Sequence, residues 1–346
     1  MAIVGLAGLA TVGGGAAGIG PLARPLPPGT VYVAISRNDD ETDAREIEVI
    51  DLAGGERRLF AVDRRITAMA LSADRRSLYV AVDGPRIMLL DARTGSVFGR
   101  IDLDGARVSA LVIGSDDRLY ATTVSALSVT IVPIDADAKR AGRALEIGGT
   151  GLVGGRPAVL PGALLVPVAE PRLLQLVRVT LATLTVAGRT EITRAGGLPG
   201  APAALSLGSD GTTAVVTPDA AGPRGARLLV FTDPEARREK TLSFGNFGFD
   251  SPRGILDIQA QAAASADGTA IQACVGNSRA ARRYSVTVSD LAAVEVGTDC
   301  GQMVHGDADT VLIATRGSPR LIVIDEHTGT VRRTLALAGV PTQLAR

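Results

Sequence analysis

Short runs of aliphatic residues alternate with short polar loops along most of this chain. The clearest stretch lies between residues 66 and 103, and its four apolar runs are Ile66–Leu71, Ser77–Val82, Ile87–Leu90 and Val97–Leu103. Runs of this length that are rich in aliphatic and β-branched residues and end at Gly, Asp or Ser are typical of β-strands. The pattern therefore predicts an all-β chain whose strands are short and joined by tight turns.

One phrase of this pattern recurs. An apolar strand ends in Asp, and a Thr-Gly pair follows after two residues, as in Asp91-Ala-Arg-Thr-Gly95 and Asp325-Glu-His-Thr-Gly329. The closing Asp falls at Asp51, Asp91, Asp135, Asp233, Asp290 and Asp325, with Thr180 in its place in the fourth repeat. A period of about 45 residues that is carried by strands is typical of β-propeller blades. We interpret each Asp as a turn residue whose carboxylate accepts backbone N–H groups.

The repeats predict an all-β, seven-bladed β-propeller of four-stranded antiparallel blades over residues 31–346. The first repeat has no innermost strand before Val31, whereas residues 339–345 form an apolar run with no blade after it. We expect the C-terminal strand to complete the first blade, because this pairing removes two open sheet edges at once.

The N-terminal segment differs from the repeats. Residues 2–23 carry no charge, and a Pro-rich stretch follows before the first predicted strand. We interpret residues 1–20 as a signal peptide or membrane anchor and residues 21–30 as a Pro-rich linker; a flexible Ala/Gly tail is the alternative. The segment favours an extracytoplasmic bacterial protein that is either secreted or tethered to a membrane through residues 2–20.

The charge balance and the cysteines narrow the function classes. Basic and acidic residues number 36 each, so no net field favours a nucleic-acid partner. Cys274 and Cys300 are too few for a metal cage of their own, and we predict no metal site. The two residues lie in neighbouring predicted blades. They can form a disulfide in an oxidising compartment or remain as two small buried side chains.

Two segments resemble a known repeat family. Residues 71–80, Leu-Ser-Ala-Asp-Arg-Arg-Ser-Leu-Tyr-Val, and residues 322–331, Ile-Val-Ile-Asp-Glu-His-Thr-Gly-Thr-Val, resemble the YVTN-type propeller repeat. The chain departs from that repeat at Ala73, where Pro is usual, and at Arg75, where Gly is usual. Similar propellers include surface and adhesion modules, lactonases and quinoprotein-type dehydrogenases. The resemblance implies an exported binding scaffold, with an enzyme as an alternative.

Arginines recur at one end of the predicted blades. They lie in the loops between the second and third strands or in the connections from one blade to the next. Both kinds of loop share the face where ligands usually enter a propeller. The candidate ligand- or anion-binding residues are Arg45, Arg86, Arg172, Arg227, Arg283 and Arg320 from the first kind and Arg107, Arg156 and Arg253 from the second. A basic rim would bind carboxylate or phosphate; pairing of each arginine with a local acid is the alternative.

Other candidate chemistry is sparse. His305 and His327 lie in different loops without a cluster of metal-ligand spacing, so we interpret them as structural or surface residues. The acidic loop 39–43 fits no calcium motif and is interpreted as solvated. We assign no catalytic residue and no cofactor. We expect a noncatalytic module that binds a protein, a glycan or a small anion. A lactonase-like hydrolase is the alternative, and Glu170, Asp219 and Asp250 are the carboxylates to inspect for it.

Overall fold

The computed structural model describes most of the repeat region. The described residues are 27, 29–37, 43–105, 107–125, 128–148, 156–170, 173–193, 204–207, 213–218, 226–231, 239–244, 259–276, 281–306 and 309–346. The predicted N-terminal segment 1–20 and nearly all of the linker lie outside them. Among the described residues, no helix has the length and apolar character needed to cross a membrane.

The described elements are β-strands that form consecutive sheets. Sheet A contains β1 (Thr30–Ser36), β2 (Glu46–Asp51), β3 (Arg57–Ala61) and β29 (Val340–Ala345). Sheet B contains β4 (Ile66–Leu71), β5 (Ser77–Val82), β6 (Arg86–Asp91) and β7 (Val97–Asp102). Sheet C contains β8 (Arg107–Ile113), β9 (Leu119–Val124), β10 (Val129–Asp135), β11 (Arg140–Ala141) and β12 (Leu145–Gly148).

The remaining sheets follow in the same way. Sheet D contains β13 (Ala158–Leu160), β14 (Ala163–Glu170), β15 (Leu173–Thr180) and β16 (Thr185–Thr193). Sheet E contains β17 (Ala204–Leu207), β18 (Thr213–Pro218), β19 (Ala226–Phe231) and β20 (Glu239–Phe244). Sheet F contains β21 (Gln259–Ala264), β22 (Ala270–Gly276), β23 (Ala281–Thr287) and β24 (Ala293–Gly297). Sheet G contains β25 (Gly301–His305), β26 (Thr310–Thr315), β27 (Arg320–Asp325) and β28 (Val331–Ala336).

Six of these sheets have the predicted four antiparallel strands, and sheet C departs from the prediction with five. Its outer strand is divided, because β11 and β12 pair with opposite ends of β10. The carbonyl of Pro133 in β10 accepts the N–H of Gly142 on this side of the sheet. The nitrogen of Pro133 faces the same side but carries no hydrogen, so the ladder loses a donor where the outer strand breaks.

The sheets are arranged around a common axis. Each innermost strand contacts the innermost strand of the next sheet, in the order β4, β8, β13, β17, β21 and β25, and β29 contacts both β25 and β4. The fold is therefore an all-β propeller of antiparallel blades. Its core lies between adjacent sheets: Tyr32 and Ile47 of sheet A pack in one cluster with Met69 and Leu78 of sheet B.

The two ends of the chain meet in sheet A. Strand β29 pairs antiparallel with β1 through partners such as Val33 and Leu344, so the predicted closure of the first blade is confirmed. The buried Glu48 carboxylate accepts the N–H of Ala338 at 2.7 Å and an Nη1–H of Arg57 at 3.2 Å. The bond from Ala338, together with the bond that Arg57 Nη1 donates to the carbonyl of Ala336 at 2.5 Å, holds the connection from sheet G to the closing strand against sheet A.

At three places in the described residues, the recurring turn joins a blade to the one before it. The carbonyl of its second residue accepts a side-chain donor from the preceding sheet at three turns of the ring. Arg333 donates to Leu52 at 2.9 Å, the Tyr32 hydroxyl to Ala92 at 2.9 Å, and Gln272 Nε2 to Glu326 at 2.9 Å. The same contact at equivalent positions shows that the turn docks sheets together as well as reversing the chain.

The recurring Asp residues shape this turn. Asp91 Oδ1 accepts the N–H groups of Arg93 at 3.1 Å and Thr94 at 2.8 Å. Asp325 Oδ1 likewise accepts the N–H groups of His327 at 3.1 Å and Thr328 at 2.8 Å. Their interpretation as turn residues is confirmed at these positions; Asp233 lies outside the described residues.

Ending the chain at Gly339 removes β29 and exposes the backbone of β1 and the inner side of sheet A. We expect loss of cooperative thermal unfolding, because burial of Leu344 and the β1 ladder are lost together. Differential scanning calorimetry measures this. Removing Arg346 alone leaves β29 intact and serves as the control. A truncated chain that melts at the same temperature as the full one would contradict the role of the closure.

Gly95 and Gly55 occupy the same place in two recurring turns, and both have positive φ angles, 73° and 71°. A methyl group at Gly95 would overlap the ring of Phe60 in sheet A, whereas one at Gly55 would meet nothing within 4 Å. Gly55→Ala adds only backbone strain of about 1 kcal/mol. We expect Gly95→Ala to cost about 2–4 kcal/mol, since overpacking adds to the strain. Urea unfolding measures both; equal losses would refute the docking of this turn.

Candidate functional site

The two ends of the ring carry different loops. We call the end formed by the loops between second and third strands and by the connections between sheets the entrance face. The opposite end, which carries the recurring turns, is the turn face. The predicted basic rim belongs to the entrance face, and both histidines lie toward the turn face, because His305 ends β25 and His327 follows β27.

Three of the predicted rim arginines are paired with acids. Arg45 Nε donates to Asp43 at 2.8 Å, Arg86 Nε to Asp102 at 2.6 Å, and Arg320 Nη2 to Asp299 at 3.2 Å. The hydrogen bond to Asp43 raises the pKa of Arg45, and the bond from Arg86 lowers the pKa of the Asp102 carboxyl. Local pairing therefore partly neutralises these arginines and leaves less of their charge for a ligand.

Arg283 departs from the predicted rim. Its side chain is 1% exposed in β23 and points into the junction between sheets F and G. The Nη1–H donates to the carbonyl of Gly329 at 2.6 Å, and burial lowers the pKa of the guanidinium. Its Nη groups donate to carbonyls of Gly329 and Val296, so this buried arginine holds two blades together and does not face the entrance.

Several candidates fall outside the described residues. These are Arg172, Arg253, Asp219 and Asp250, together with most of the acidic loop. The strands that carry Arg227 and Glu170 are described, but their side chains are not.

Arg107 and Arg156 are the two predicted residues that remain available. Arg107 is the first residue of β8, and Arg156 lies two residues before the start of β13, so both stand where innermost strands begin at the entrance face. Strands β8 and β13 contact each other, so the two arginines stand near the starts of neighbouring innermost strands. Both side chains are exposed, and in the described part of the chain neither has a hydrogen bond or an ion pair.

Arg156 has an exposed side chain. Burial lowers the pKa of its guanidinium, but the exposed surface is the direct observation and leaves the guanidinium accessible to an anion.

The sequence did not identify Val159 or Glu326 as candidate site residues. Val159 in β13 is 38% exposed although it belongs to an innermost strand, so it presents apolar surface close to Arg156. Glu326 is 3% exposed and stands where Ala92 stands in another recurring turn. The sequence signal for Glu326 was an ionisable residue within the recurring Asp-x-x-Thr-Gly turn.

The described residues contain no group of three or more His, Cys, Asp or Glu side chains suited to hold a metal ion. The two cysteines lie at the junction of sheets F and G. Cys274 is in β22 and Cys300 directly precedes β25, and the structure joins them in a disulfide with their Cα atoms 5.6 Å apart. The bond ties neighbouring blades near their inner strands.

Replacing Cys274 and Cys300 by Ala tests this bond. In the chain-entropy account, a cross-link across 26 residues stabilises the fold by about 3.5 kcal/mol. We expect a loss of that order in urea unfolding under oxidising conditions. The wild type with a reductant should lose a similar amount, and the double variant should not respond to the reductant. If the reductant leaves the unfolding of the wild type unchanged, as it should leave that of the double variant, the result would argue against the disulfide.

Comparison with known proteins places the fold but not the activity. No protein-family model and no curated protein matches the sequence. Hence the resemblance to the YVTN-type repeat has only the quoted residues behind it.

Solved structures match the whole ring. The periplasmic gluconolactonase of Pseudomonas aeruginosa is 16% identical, with a TM-score of 0.62, over 91% of this chain and 98% of that one. A putative 6-phosphogluconolactonase of Bacteroides uniformis is 12% identical, with a TM-score of 0.64 and the same coverage of both chains. Hydrazine synthase of Kuenenia stuttgartiensis is 14% identical, with a TM-score of 0.60, over 89% and 98%. The chain is therefore similar in fold to 6-phosphogluconolactonase-like β-propellers.

Proposed function

We propose that this protein is an extracytoplasmic binding module that takes a small carboxylate- or phosphate-bearing ligand at the entrance face of its central channel. The observation that carries the proposal is that Arg107 and Arg156 have no hydrogen-bond or ion-pair partner among the described residues, while Arg45, Arg86 and Arg320 have one. Arginine binds planar anions with paired donors, and such charge-assisted bonds are strong where water is partly excluded.

The wall beside these arginines suits a ligand with an apolar part. Val159 presents exposed aliphatic surface, and Ser109, two residues along β8 from Arg107, is exposed as well. Its hydroxyl donates to the carbonyl of Thr122 at 3.1 Å and keeps its lone pairs for a ligand donor. The site therefore combines anion recognition with a short apolar wall and one hydroxyl acceptor.

A lactonase-like hydrolysis is the second candidate. Two of the structurally similar proteins carry gluconolactonase names. Hydrolysis of a lactone gives a hydroxy acid, so an arginine pair that binds a carboxylate would suit the product of this reaction. We assign no catalytic residue, since Asp219 and Asp250 lie outside the described residues and the side chain of Glu170 is not described.

The location and the number of blades also belong to the proposal. One similar protein is described as periplasmic, and a disulfide fits an oxidising compartment outside the cytoplasm. We infer that sheet C is a blade of the same ring despite its divided outer strand, because β8 contacts β4 on one side and β13 on the other. The propeller then has seven blades, as the repeats predict.

Arg107→Gln and Arg156→Gln test the binding site, with gluconate, 6-phosphogluconate and glucono-1,5-lactone as probes. We expect either variant to weaken binding of the anionic probes by about tenfold or more, since a hydrogen bond to a charged group contributes about 1.5–3 kcal/mol. Isothermal titration calorimetry measures binding, and pH-stat titration with the lactone measures hydrolysis. Turnover of the lactone would favour the second candidate.

Arg86→Gln is the matched control, because Arg86 lies on the same face but is engaged by Asp102. We expect it to leave binding of the probes within about twofold of the wild type. Equal losses from Arg86→Gln and Arg156→Gln would point to a general effect of surface charge. Absence of binding by the wild type to all three probes would reject these sugar acids as the ligand class.

A further inference from the structure

Both histidines of the chain meet at one buried carboxylate. His305 Nδ1 lies 3.8 Å from Glu326 Oε2, and His327 Nδ1 lies 4.0 Å from Glu326 Oε1. His327 Nε2 lies 3.1 Å from Asp267 Oδ2. Residues from sheet G and from the turn between β21 and β22 of sheet F therefore form one cluster on the turn face.

Glu326 holds the two sheets together at this point. Its Oε1 accepts the N–H of Ala266 at 3.2 Å, and its backbone carbonyl accepts Gln272 Nε2 at 2.9 Å. The Ser285 hydroxyl donates to the carbonyl of His327 at 2.7 Å. The recurring turn of sheet G is thus docked on sheet F by neutral bonds that resemble those of other turns, and by a carboxylate that those turns lack.

The charges that face each imidazole differ. His305 faces Glu326 and Arg346, and Arg346 Nη1 donates to the carbonyls of His305 and Gly306. Among the described residues, the charged groups that act most on His327 are three carboxylates: Asp267, Glu326 and Asp325. Asp325 is itself engaged by Arg332 and by the turn N–H groups. The guanidinium of Arg283 lies nearby, bound to the carbonyl of Gly329.

We propose that the junction of sheets F and G is a pH-sensitive clasp, which is tightest when His327 carries a proton and His305 does not. A proton on His327 completes a charged bridge from Asp267 to Glu326 across the junction. A proton on His305 places a second cation next to Arg346 and draws Glu326 away from Ala266. The exposed fractions of the two imidazoles, 42% for His305 and 40% for His327, let protons reach both.

The two protonation steps act on opposite sides of the usual histidine pKa of about 6.5. The hydrogen bond to Asp267 raises the pKa of His327, so its contribution is full below about pH 6.5 and is lost as the pH rises through the raised value. Burial lowers the pKa of His305, so its contribution is full above about pH 6.5 and is lost as the pH falls through the lowered value. The clasp therefore has a stability maximum near pH 6.5 and loosens in both directions.

Nuclear magnetic resonance of the wild type tests this directly, because the chain has two histidines and hence two imidazole Cε1–H signals. We expect one signal to titrate with a midpoint above about 6.5 and the other below it, and His327→Gln to remove the higher one. Two midpoints at the ordinary value, or the higher midpoint belonging to His305, would overturn the clasp. This measurement does not depend on a variant that unfolds.

Unfolding in urea supplies the second arm. We expect His327→Gln to lower the midpoint at pH 6.5 and to approach the wild type at about pH 9, and Asp267→Asn to remove the same alkaline dependence. His305→Gln should remove the fall in midpoint between about pH 6.5 and 5. Arg93→Gln is the control, because Arg93 holds the place of His327 in the turn of sheet B. If the change in urea midpoint caused by His327→Gln is as independent of pH as the change caused by Arg93→Gln, the proposal is rejected.

Discussion

Pairing of the last strand with the first is the interaction on which the whole ring depends. Each blade buries its faces only against its two neighbours, so an open ring would expose one face of each terminal blade. Strand β29 fills the innermost place of sheet A and contacts strands of sheets B and G. The buried Glu48 then holds the connection that leads to β29. Closure thus turns a linear series of weak sheets into one cooperative unit.

The recurring turn supplies the second level of cohesion. Its Asp arranges the backbone, and that arrangement exposes a carbonyl to the preceding sheet. The side chain of the second turn residue is then free to vary. In sheet B it is Ala92, which only fills space, whereas in sheet G it is Glu326, which gathers both histidines and Asp267. The recurring turn of sheet G thereby brings ionisable side chains to the junction of sheets F and G, while its backbone makes the same contact as in other turns.

At the entrance face, pairing decides which charges remain for a ligand. Arginines there are numerous, but Arg45, Arg86 and Arg320 each have a local acid, and Arg283 turns into a junction between blades. Among the described arginines of this face, Arg107 and Arg156 at the starts of neighbouring innermost strands keep no such partner. The proposed anion site therefore lies on the side of sheets C and D.

The sequence by itself determined the strands, the recurring Asp turns and the closing strand, because these depend on local periodicity and on turn residues that act within a few positions. It missed the division of the outer strand in sheet C, where Pro133 withholds a ladder donor from a segment several residues away. It also placed Arg283 and Arg86 in one set, although one is buried and the other is paired on the surface. Only the tertiary structure decided which arginines are neutralised and that His305, His327 and Glu326 meet, because these contacts join residues from different strands, turns and blades whose distances no spacing along the chain defines.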